Sequence, residues 1–194
     1  MRIASKPMTG YPWYVRLFFR AQRRTYGTVL EPALLWARVP RLFLALSFFF
    51  GTLERRSSPL SPGLRSLVTV RVSQINWCRF CVDLNSALLM KRGAAEEKVA
   101  AVGVWRESAL FDDRERAALA YAEAMTRPEV RVDEDVMNRL KAYFDDDAIV
   151  ELTALIAFQN PSSKFNAALD VPPQGFCRIP AGPQAHDAGL GLKP

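Results

Sequence analysis

The segment from residue 64 to residue 76 constrains the fold most, because its apolar positions fix the period of the chain. It reads LRSLVTVRVSQIN, and its β-branched residues by themselves are typical of a strand. Its apolar residues nevertheless recur at helical intervals, at Leu64, Leu67, Val68, Val72 and Ile75. This spacing places them along one face of a helix. The segment is therefore predicted to be helical, and no part of the chain has the pattern of a β-hairpin.

Helical spacing continues through most of the chain and predicts an all-α fold. Asp112 with Glu115 forms a capping-box pattern, and Gly93 is placed as the residue that follows a helix. Pro161 is expected to break the last long helix, leaving one or two further turns over 162–169. The predicted helices cover about 15–24, 31–38, 40–54, 64–76, 78–92, 95–104, 112–126, 133–144 and 145–160.

Charge is distributed unevenly and divides the chain. The net charge is +6, but residues 1–65 carry eleven Lys and Arg against two acidic residues, whereas the remainder carries fifteen against eighteen. This distribution excludes a protein that binds nucleic acid over its whole surface. We divide the chain into a basic, aromatic helical extension (1–56), a domain (57–177) and a tail rich in Pro and Gly (178–194), which is expected to be disordered.

Three interpretations of the extension remain open. Its aromatic and arginine residues suit attachment to a membrane surface, packing on the domain or on a neighbouring subunit, or RNA binding. We favour packing, and no recognition motif supports RNA. The longest apolar run, Leu42–Leu53, is shorter than the ~18–20 residues that span a bilayer. No secretory signal is visible, so we expect a cytoplasmic protein.

The motif Cys78-Arg79-Phe80-Cys81 is the sharpest chemical feature. Cysteines three residues apart on a helix lie on one face, close enough to form a reversible disulfide. The positive end of the helix dipole and the charge of Arg79 both favour the reactive thiolate. The alternative is two buried structural cysteines that happen to have this spacing.

Neither a metal site nor a cofactor is predicted. A structural zinc site needs four Cys or His ligands, and beyond the close pair the chain has only Cys177 and His186. A nucleophile–histidine arrangement would have to recruit His186 from the tail. We therefore expect no cofactor.

The segment LSPGLRSLVTVRVSQINWCRFCVDLNSALLMKRGAAEEKVAAV resembles the core of the carboxymuconolactone decarboxylase and AhpD-like superfamily. The resemblance continues through WRESALFDDRERAALAYAEAMT and IVELTALIAFQNPSSKFNAALDVPPQGFC, and covers about residues 60–177. It implies an all-α AhpD-like fold and assembly into trimers or larger rings. Its CxxC branch implies disulfide-linked peroxide reduction with electrons from a dithiol protein.

The resemblance carries over to individual residues. Cys78 and Cys81 match the cysteine pair, but the position of the family's relay histidine holds Asn85 and that of its glutamate holds Ser66. An amide and a hydroxyl cannot exchange protons near neutral pH as His and Glu do. Glu151 is a candidate replacement carboxylate, although an exposed position at a helix start is the favoured interpretation.

Three functions follow, in order of preference. The first is a thiol-disulfide redox protein, in which Cys81 attacks a peroxide or disulfide and Cys78 resolves it; the order of attack comes from the resemblance. The second is a non-catalytic oligomeric scaffold, which the missing relay supports. The third is a lyase or decarboxylase that binds a small carboxylate through Arg71 and Arg79. Family members with decarboxylase activity use a histidine and lack CxxC, which disfavours it. In each case we expect a homo-oligomer.

Overall fold

The computed structural model describes residues 1–178, and this part of the chain is entirely helical apart from turns and connections. It contains nine α-helices, together with short 3₁₀ turns at Met8–Gly10 and Ala101–Val104. The all-α prediction is confirmed. The helices are α1 (Trp13–Tyr26), α2 (Glu31–Trp36), α3 (Pro40–Leu53), α4 (Pro62–Ile75), α5 (Arg79–Lys91), α6 (Glu96–Ala100), α7 (Asp113–Thr126), α8 (Glu134–Lys141) and α9 (Asp146–Ala168).

Helix α4 is the centre of the molecule. It packs against α5, α7 and α9, and every residue from Leu64 to Gln74 is buried. Val68 and Val72 are fully enclosed in the main core, which also contains Leu119 of α7 and Ile156 of α9. Burial on all sides explains the β-branched composition of this helix, because packing outweighs the small intrinsic preference of Val for strands.

Helix boundaries follow the capping residues in the sequence. Asp112 and Glu115 form the capping box at the start of α7, and the side chains of Asp133 and Asp145 cap α8 and α9. Gly93 follows α5 with a φ of 98°. This left-handed backbone is accessible to glycine without steric cost, so the chain turns there into α6.

Pro161 does not break the last helix, contrary to the sequence prediction. Helix α9 runs through it to Ala168. The proline removes the N–H that would donate to the carbonyl of Ala157 and its ring crowds that carbonyl, but packing on both sides of it offsets this cost. Ile156 before it and Asn166 after it are both buried against the domain. One continuous helix therefore carries core residues and Asn166 together.

The extension packs on the domain through aromatic contacts. The rings of Trp36 and Phe165 stack with their centroids 3.5 Å apart, and Phe49 meets Phe158 edge-on at 5.1 Å. The extension also has a small core of its own around Val15 and Phe19. Packing of the extension on the domain, the favoured interpretation, is thus observed within this chain.

Part of the extension remains exposed. Phe48 on α3 is 80% exposed, so an apolar surface is available to a neighbouring subunit, and the homo-oligomer stays a prediction. No helix within residues 1–178 combines the length and the apolar character needed to cross a bilayer. The predicted disorder of the tail and the position of His186 fall beyond residue 178, outside the described residues.

Candidate active site

Cys78 and Cys81 lie at the start of α5 and are joined by a disulfide. Cys78 is the N-cap residue, and its Sγ accepts a hydrogen bond from the backbone N–H of Cys81 at 3.1 Å. Both the free N–H groups of the first turn and the helix dipole stabilise negative charge on this sulfur. Cys177 lies outside the disulfide and is partly buried.

The turn before Cys78 fixes the position of the pair. Helix α4 ends in a Schellman motif, in which the N–H of Cys78 donates to Ser73 O at 3.1 Å and that of Trp77 to Gln74 O at 3.2 Å. Trp77 occupies the left-handed position with a φ of 56°, which glycine normally fills. This conformation costs a bulky residue about 1–2 kcal/mol. The site is therefore held by a short, strained turn between the two helices that pack most closely.

Both cysteines are covered by segments distant in sequence. Their exposed fractions are 1% for Cys78 and 4% for Cys81, and Leu35 of α2 and Val171 after α9 complete the apolar cluster around them. The carboxylate of Asp83 accepts backbone N–H bonds from Gln174, Gly175 and Cys177 at 2.7–2.8 Å. Asp83 thereby fixes the segment 171–178 against α5.

A cavity of about 370 Å³ reaches Cys81. One wall comes from α1, α2 and α3 of the extension, and the other comes from α4, α5 and α9. Cys81 lines the cavity, whereas Cys78 is not among its lining residues in the described part of the chain. Aromatic rings make up much of the lining, at Phe18, Trp36, Phe43, Phe50, Phe80 and Phe158. An apolar ligand that enters here meets Cys81 and not Cys78.

Ser66 and Asn85 line the same cavity, but each side chain bonds away from the sulfurs. Arg92 donates to Ser66 Oγ at 2.8 Å, and the amide of Asn85 donates to Ser73 Oγ at 3.2 Å. Both residues therefore lie on the cavity that Cys81 lines. Their hydrogen bonds in this state are those of supporting groups in the wall.

Arg79 and Glu151 lie elsewhere. The guanidinium of Arg79 pairs with Asp170 at 2.9 Å, and both side chains are more than half exposed. Glu151 is buried and bonds to Arg55 and Ser58. It therefore anchors the linker before α4 to α9, and neither the relay role nor an exposed position describes it. No hydrogen bond of Glu151 in the described structure goes to a cysteine.

The cavity also has a polar end. Glu54, directly after α3, pairs with Arg92, directly after α5, at 2.5 Å, and Tyr26 of α1 lines the cavity beside them. Burial raises the pKa of Tyr26, the negative charge of Glu54 raises it further, and Arg92 opposes this effect. A carboxylate and a phenol from the extension therefore enter the site region. No local pattern indicated them, because only the fold brings α1 and α3 over α5.

A second polar group lies on another side of α4. Glu123 accepts hydrogen bonds from Arg71 Nε at 2.6 Å and from Trp105 Nε1 at 3.1 Å, and pairs also with Arg106. Burial alone would raise the pKa of Glu123, but Arg71 and the hydrogen bonds outweigh burial and lower it. Arg71 is thus held in a buried ion pair. Within residues 1–178, no group of Cys, His, Asp and Glu is placed to hold a metal ion.

Asn166 was not singled out from the sequence, yet it contacts the cysteine pair directly. Its Nδ2 donates to Cys81 Sγ at 3.3 Å, and only 2% of the residue is exposed. Asparagine in NAAL near the end of a predicted short helix carries no motif. Only the continuous α9 brings it to the cysteine.

Comparisons with known proteins place the chain in a family. The Carboxymuconolactone decarboxylase family matches residues 39–124, which include α3, part of the predicted extension. Uncharacterized protein YnjA of Escherichia coli (strain K12) is 47% identical over 174 residues, which span 90% of this chain and 96% of that protein.

Solved structures share the fold at low identity. The alkylhydroperoxidase AhpD core protein from Ralstonia eutropha JMP134, an uncharacterized peroxidase-related protein, superposes with a TM-score of 0.82 at 22% identity, covering 90% of this chain and 93% of that one. A variant of the debrominase Bmp8 in complex with 2,3,4-tribromopyrrole gives a TM-score of 0.79 at 21% identity, covering 91% of this chain and 93% of that one.

Proposed function

Because the chain belongs to the carboxymuconolactone decarboxylase family and has the CxxC pair of its AhpD-like members, we propose that it is a thiol-dependent peroxidase. The observation that carries the proposal is that Cys81, joined to Cys78, lines the apolar cavity. A nucleophile on a cavity wall with its resolving partner three residues away is suited to a reversible redox cycle.

The first step uses Cys81. Its thiolate attacks the terminal oxygen of a hydroperoxide, the S–O bond forms as the O–O bond breaks, and the alcohol leaves after taking a proton from water. Cys81 becomes a sulfenic acid. The helix dipole favours Cys78 as the more acidic thiol, but access decides the nucleophile, because Cys81 lines the cavity.

The second step uses Cys78. Its thiolate attacks the Cys81 sulfur, the S–S bond forms, and hydroxide leaves and is protonated to water. A dithiol then reduces the disulfide by exchange and is itself oxidised to a disulfide. The α5 N-terminus supports this step, since Cys78 Sγ accepts the N–H of Cys81 in the disulfide and the same N–H is available to stabilise the thiolate after reduction.

The missing relay favours a second candidate, a non-catalytic accessory protein that retains the pair as a structural disulfide. Ser66 and Asn85 bond to Arg92 and Ser73, and neither is able to take a proton from a thiol. In that case the reduction potential of the pair is very low and no turnover accompanies it. The lyase alternative has weaker support, because Arg71 is committed to Glu123 and Arg79 to Asp170.

One experiment separates these functions. Reduced protein is mixed with cumene hydroperoxide, the thiols are mapped by alkylation and mass spectrometry, and turnover is followed with dithiothreitol as the dithiol. We expect a Cys78–Cys81 disulfide and catalytic peroxide loss, and the same result for the Cys177→Ser control. A Cys78–Cys177 linkage, or a low potential without turnover, contradicts the peroxidase proposal.

A further inference from the structure

Asn166 combines a bond to the reactive sulfur with an unused acceptor. Its Nδ2 donates to Cys81 Sγ at 3.3 Å, while its Oδ1 is buried without a hydrogen-bond partner. Only 2% of the residue is exposed, and it lines the cavity. Leaving a buried carbonyl-type oxygen without a donor is unfavourable, so a donor is expected in some state of the protein.

The oxidation state of Cys81 explains why the acceptor is unused. A disulfide sulfur carries no proton, so Cys81 has nothing to donate to Oδ1 in the structure described here. A donor arrives only after reduction, either as the thiol S–H or as the O–H of a molecule in the cavity. We therefore expect Asn166 Oδ1 to gain its hydrogen-bond donor in the reduced, substrate-binding state.

The NH2 groups of the neighbouring amides have other partners. Asn85 and Gln159 both donate to Ser73 Oγ, at 3.2 Å and 2.9 Å, and Ser73 itself donates to Thr69 O. These three side chains hold the wall formed by α4, α5 and α9. Among the amides of this wall, Asn166 is the one that contacts a sulfur.

We propose that the amide of Asn166 holds the Cys81 sulfur and the hydroxyl of an incoming hydroperoxide at the same time. This inference rests on the proposed peroxidase function. Nδ2–H stabilises the Cys81 thiolate, and Oδ1 accepts the hydroperoxide O–H, which presents the terminal oxygen to the sulfur. The two atoms belong to one amide, so an oxygen bonded at ~2.8 Å to Oδ1 lies within reach of an attacking sulfur.

The oxidation of Cys81 by a hydroperoxide needs no proton relay from the protein. The Cys81 thiol loses its proton to solvent, and the thiolate electron pair forms the S–O bond. The O–O bond electrons leave with the alkoxide, which takes a proton from water. The sulfur is oxidised to sulfenic acid and the hydroperoxide is reduced to an alcohol. Asn166 transfers no proton and acts only by donating to one partner and accepting from the other.

Two substitutions separate the two halves of the amide. Asn166→Asp keeps the shape and the acceptors but removes the donor and adds negative charge, whereas Asn166→Ala removes both functions. The full-length reduced protein is used, and Cys81 is followed by mass mapping. Its alkylation by iodoacetamide is measured against pH, and its oxidation by cumene hydroperoxide is measured in single turnover.

The expected results differ between the probes. In Asn166→Asp the pKa of Cys81 rises, so alkylation at neutral pH slows by about ten-fold or more. In Asn166→Ala, alkylation recovers above the thiol pKa, whereas hydroperoxide oxidation stays about ten-fold below wild type at every pH, because the acceptor is gone. Oxidation that recovers together with alkylation overturns the substrate contact and leaves Oδ1 as an acceptor of the thiol proton.

The matched control is Asn160→Asp, the same change six positions earlier on α9. Asn160 bonds to Thr126 and Asn76 and not to a sulfur, so the pKa of Cys81 is expected to stay unchanged even if stability falls. An equal shift in both variants overturns the proposal. If wild-type protein does not react with the hydroperoxide, the proposed function fails, while the pKa shift still tests the sulfur contact.

A measurement on the wild-type protein covers the case in which the variants do not fold. The side-chain ¹⁵N amide resonance of Asn166 is followed while the reduced protein is titrated. We expect its protons to shift with the ionisation of Cys81, since they donate to that sulfur. A resonance that does not respond between the thiol and the thiolate overturns the contact.

Discussion

Two groups of polar side chains are buried against α4, and they differ in whether every atom has a partner. Around Glu123, both carboxylate oxygens accept hydrogen bonds, and Arg71 donates also to Gln74 at 3.2 Å. Around Cys81, Asn166 leaves an oxygen without a donor, and a cavity adjoins it. The first group is complete as it stands and stabilises the fold. The second is incomplete, as expected where a ligand is to be received.

The Glu123 group and the Cys81 region also differ in which helices they connect. The Glu123 group connects α4, α7 and the turn before α7, all within the domain. The Cys81 region lies where α4, α5 and α9 meet helices of the extension. The charged residues on one side of α4 therefore have their partners, whereas a buried polar atom on the other side lacks one.

The largest expected effect is the loss of turnover in Cys81→Ser. A serine hydroxyl is not ionised near neutral pH, so no nucleophile remains at the cavity wall. Peroxide consumption with dithiothreitol is expected to fall to the uncatalysed rate. Cys78→Ser, the matched control, still reacts once when dithiothreitol is left out and stops at the sulfenic acid, which a dimedone adduct on Cys81 detects. A Cys81→Ser protein that still turns over would assign the attack to Cys78.

The second effect is a gain of activity from restoring the relay. Asn85→His with Ser66→Glu is expected to raise peroxide turnover by up to ~10²–10⁴-fold, because a base and its orienting carboxylate return to the cavity wall. The two single changes are expected to give much less, and the combination to be non-additive.

The structure adds a condition to this experiment. A glutamate at position 66 meets Arg92, which now bonds to Ser66 and Glu54, so Glu54→Gln is a useful third change that frees the guanidinium. Steady-state kinetics of the single, double and triple variants provide the measurement. A double variant without any gain would move the accessory-protein alternative ahead.

The third effect is a loss of stability, and we expect it to be larger at the Glu123 group than around Cys81. Glu123→Gln leaves the buried guanidinium of Arg71 without its charge partner, which costs about 3–5 kcal/mol. Asn166→Leu removes a polar group that is only half satisfied, and we expect a change within about 1 kcal/mol. Urea unfolding measures both, with the exposed pair partner Glu129→Gln as a control of near-zero effect. A larger loss for Asn166→Leu would reverse the comparison.

The smallest effect concerns pH. The pKa of Glu123 in the folded protein is lowered from its ordinary value, so the unfolded chain takes up the proton first as the pH falls. Its contribution to stability is therefore complete above the unfolded pKa of about 4.3 and is lost as the pH drops through the lower, folded value.

A pH series tests this sign. The difference in unfolding free energy between wild type and Glu123→Gln is expected to be constant from pH 7 to about pH 5 and to shrink below about pH 4. Asn166→Leu provides the comparison, since it does not titrate and its difference is expected to stay flat. A Glu123 contribution that grows on acidification would contradict the lowered pKa.

Local sequence signals predicted the helices and most of their ends. The capping side chains of Asp112, Asp133 and Asp145 accept hydrogen bonds from residues a few positions later, so the sequence alone predicts them. Pro161 was misread because its local cost is real, but the packing of α9 on α4 outweighs it. The same error hid Asn166, which a broken helix would not have aligned with Cys81.

The amino-acid sequence by itself determined the all-α class, the position of the CxxC pair at a helix start and the absence of histidine and glutamate at the relay positions. The first two depend on side-chain type and spacing along the chain, and the third depends also on the resemblance to the family. Only the tertiary structure decided that Cys81 rather than Cys78 lines the cavity, that α1–α3 form its far wall, and that Asn166 contacts the sulfur. That last contact joins residues 85 positions apart, and its geometry is set by how whole helices pack, which no local pattern encodes.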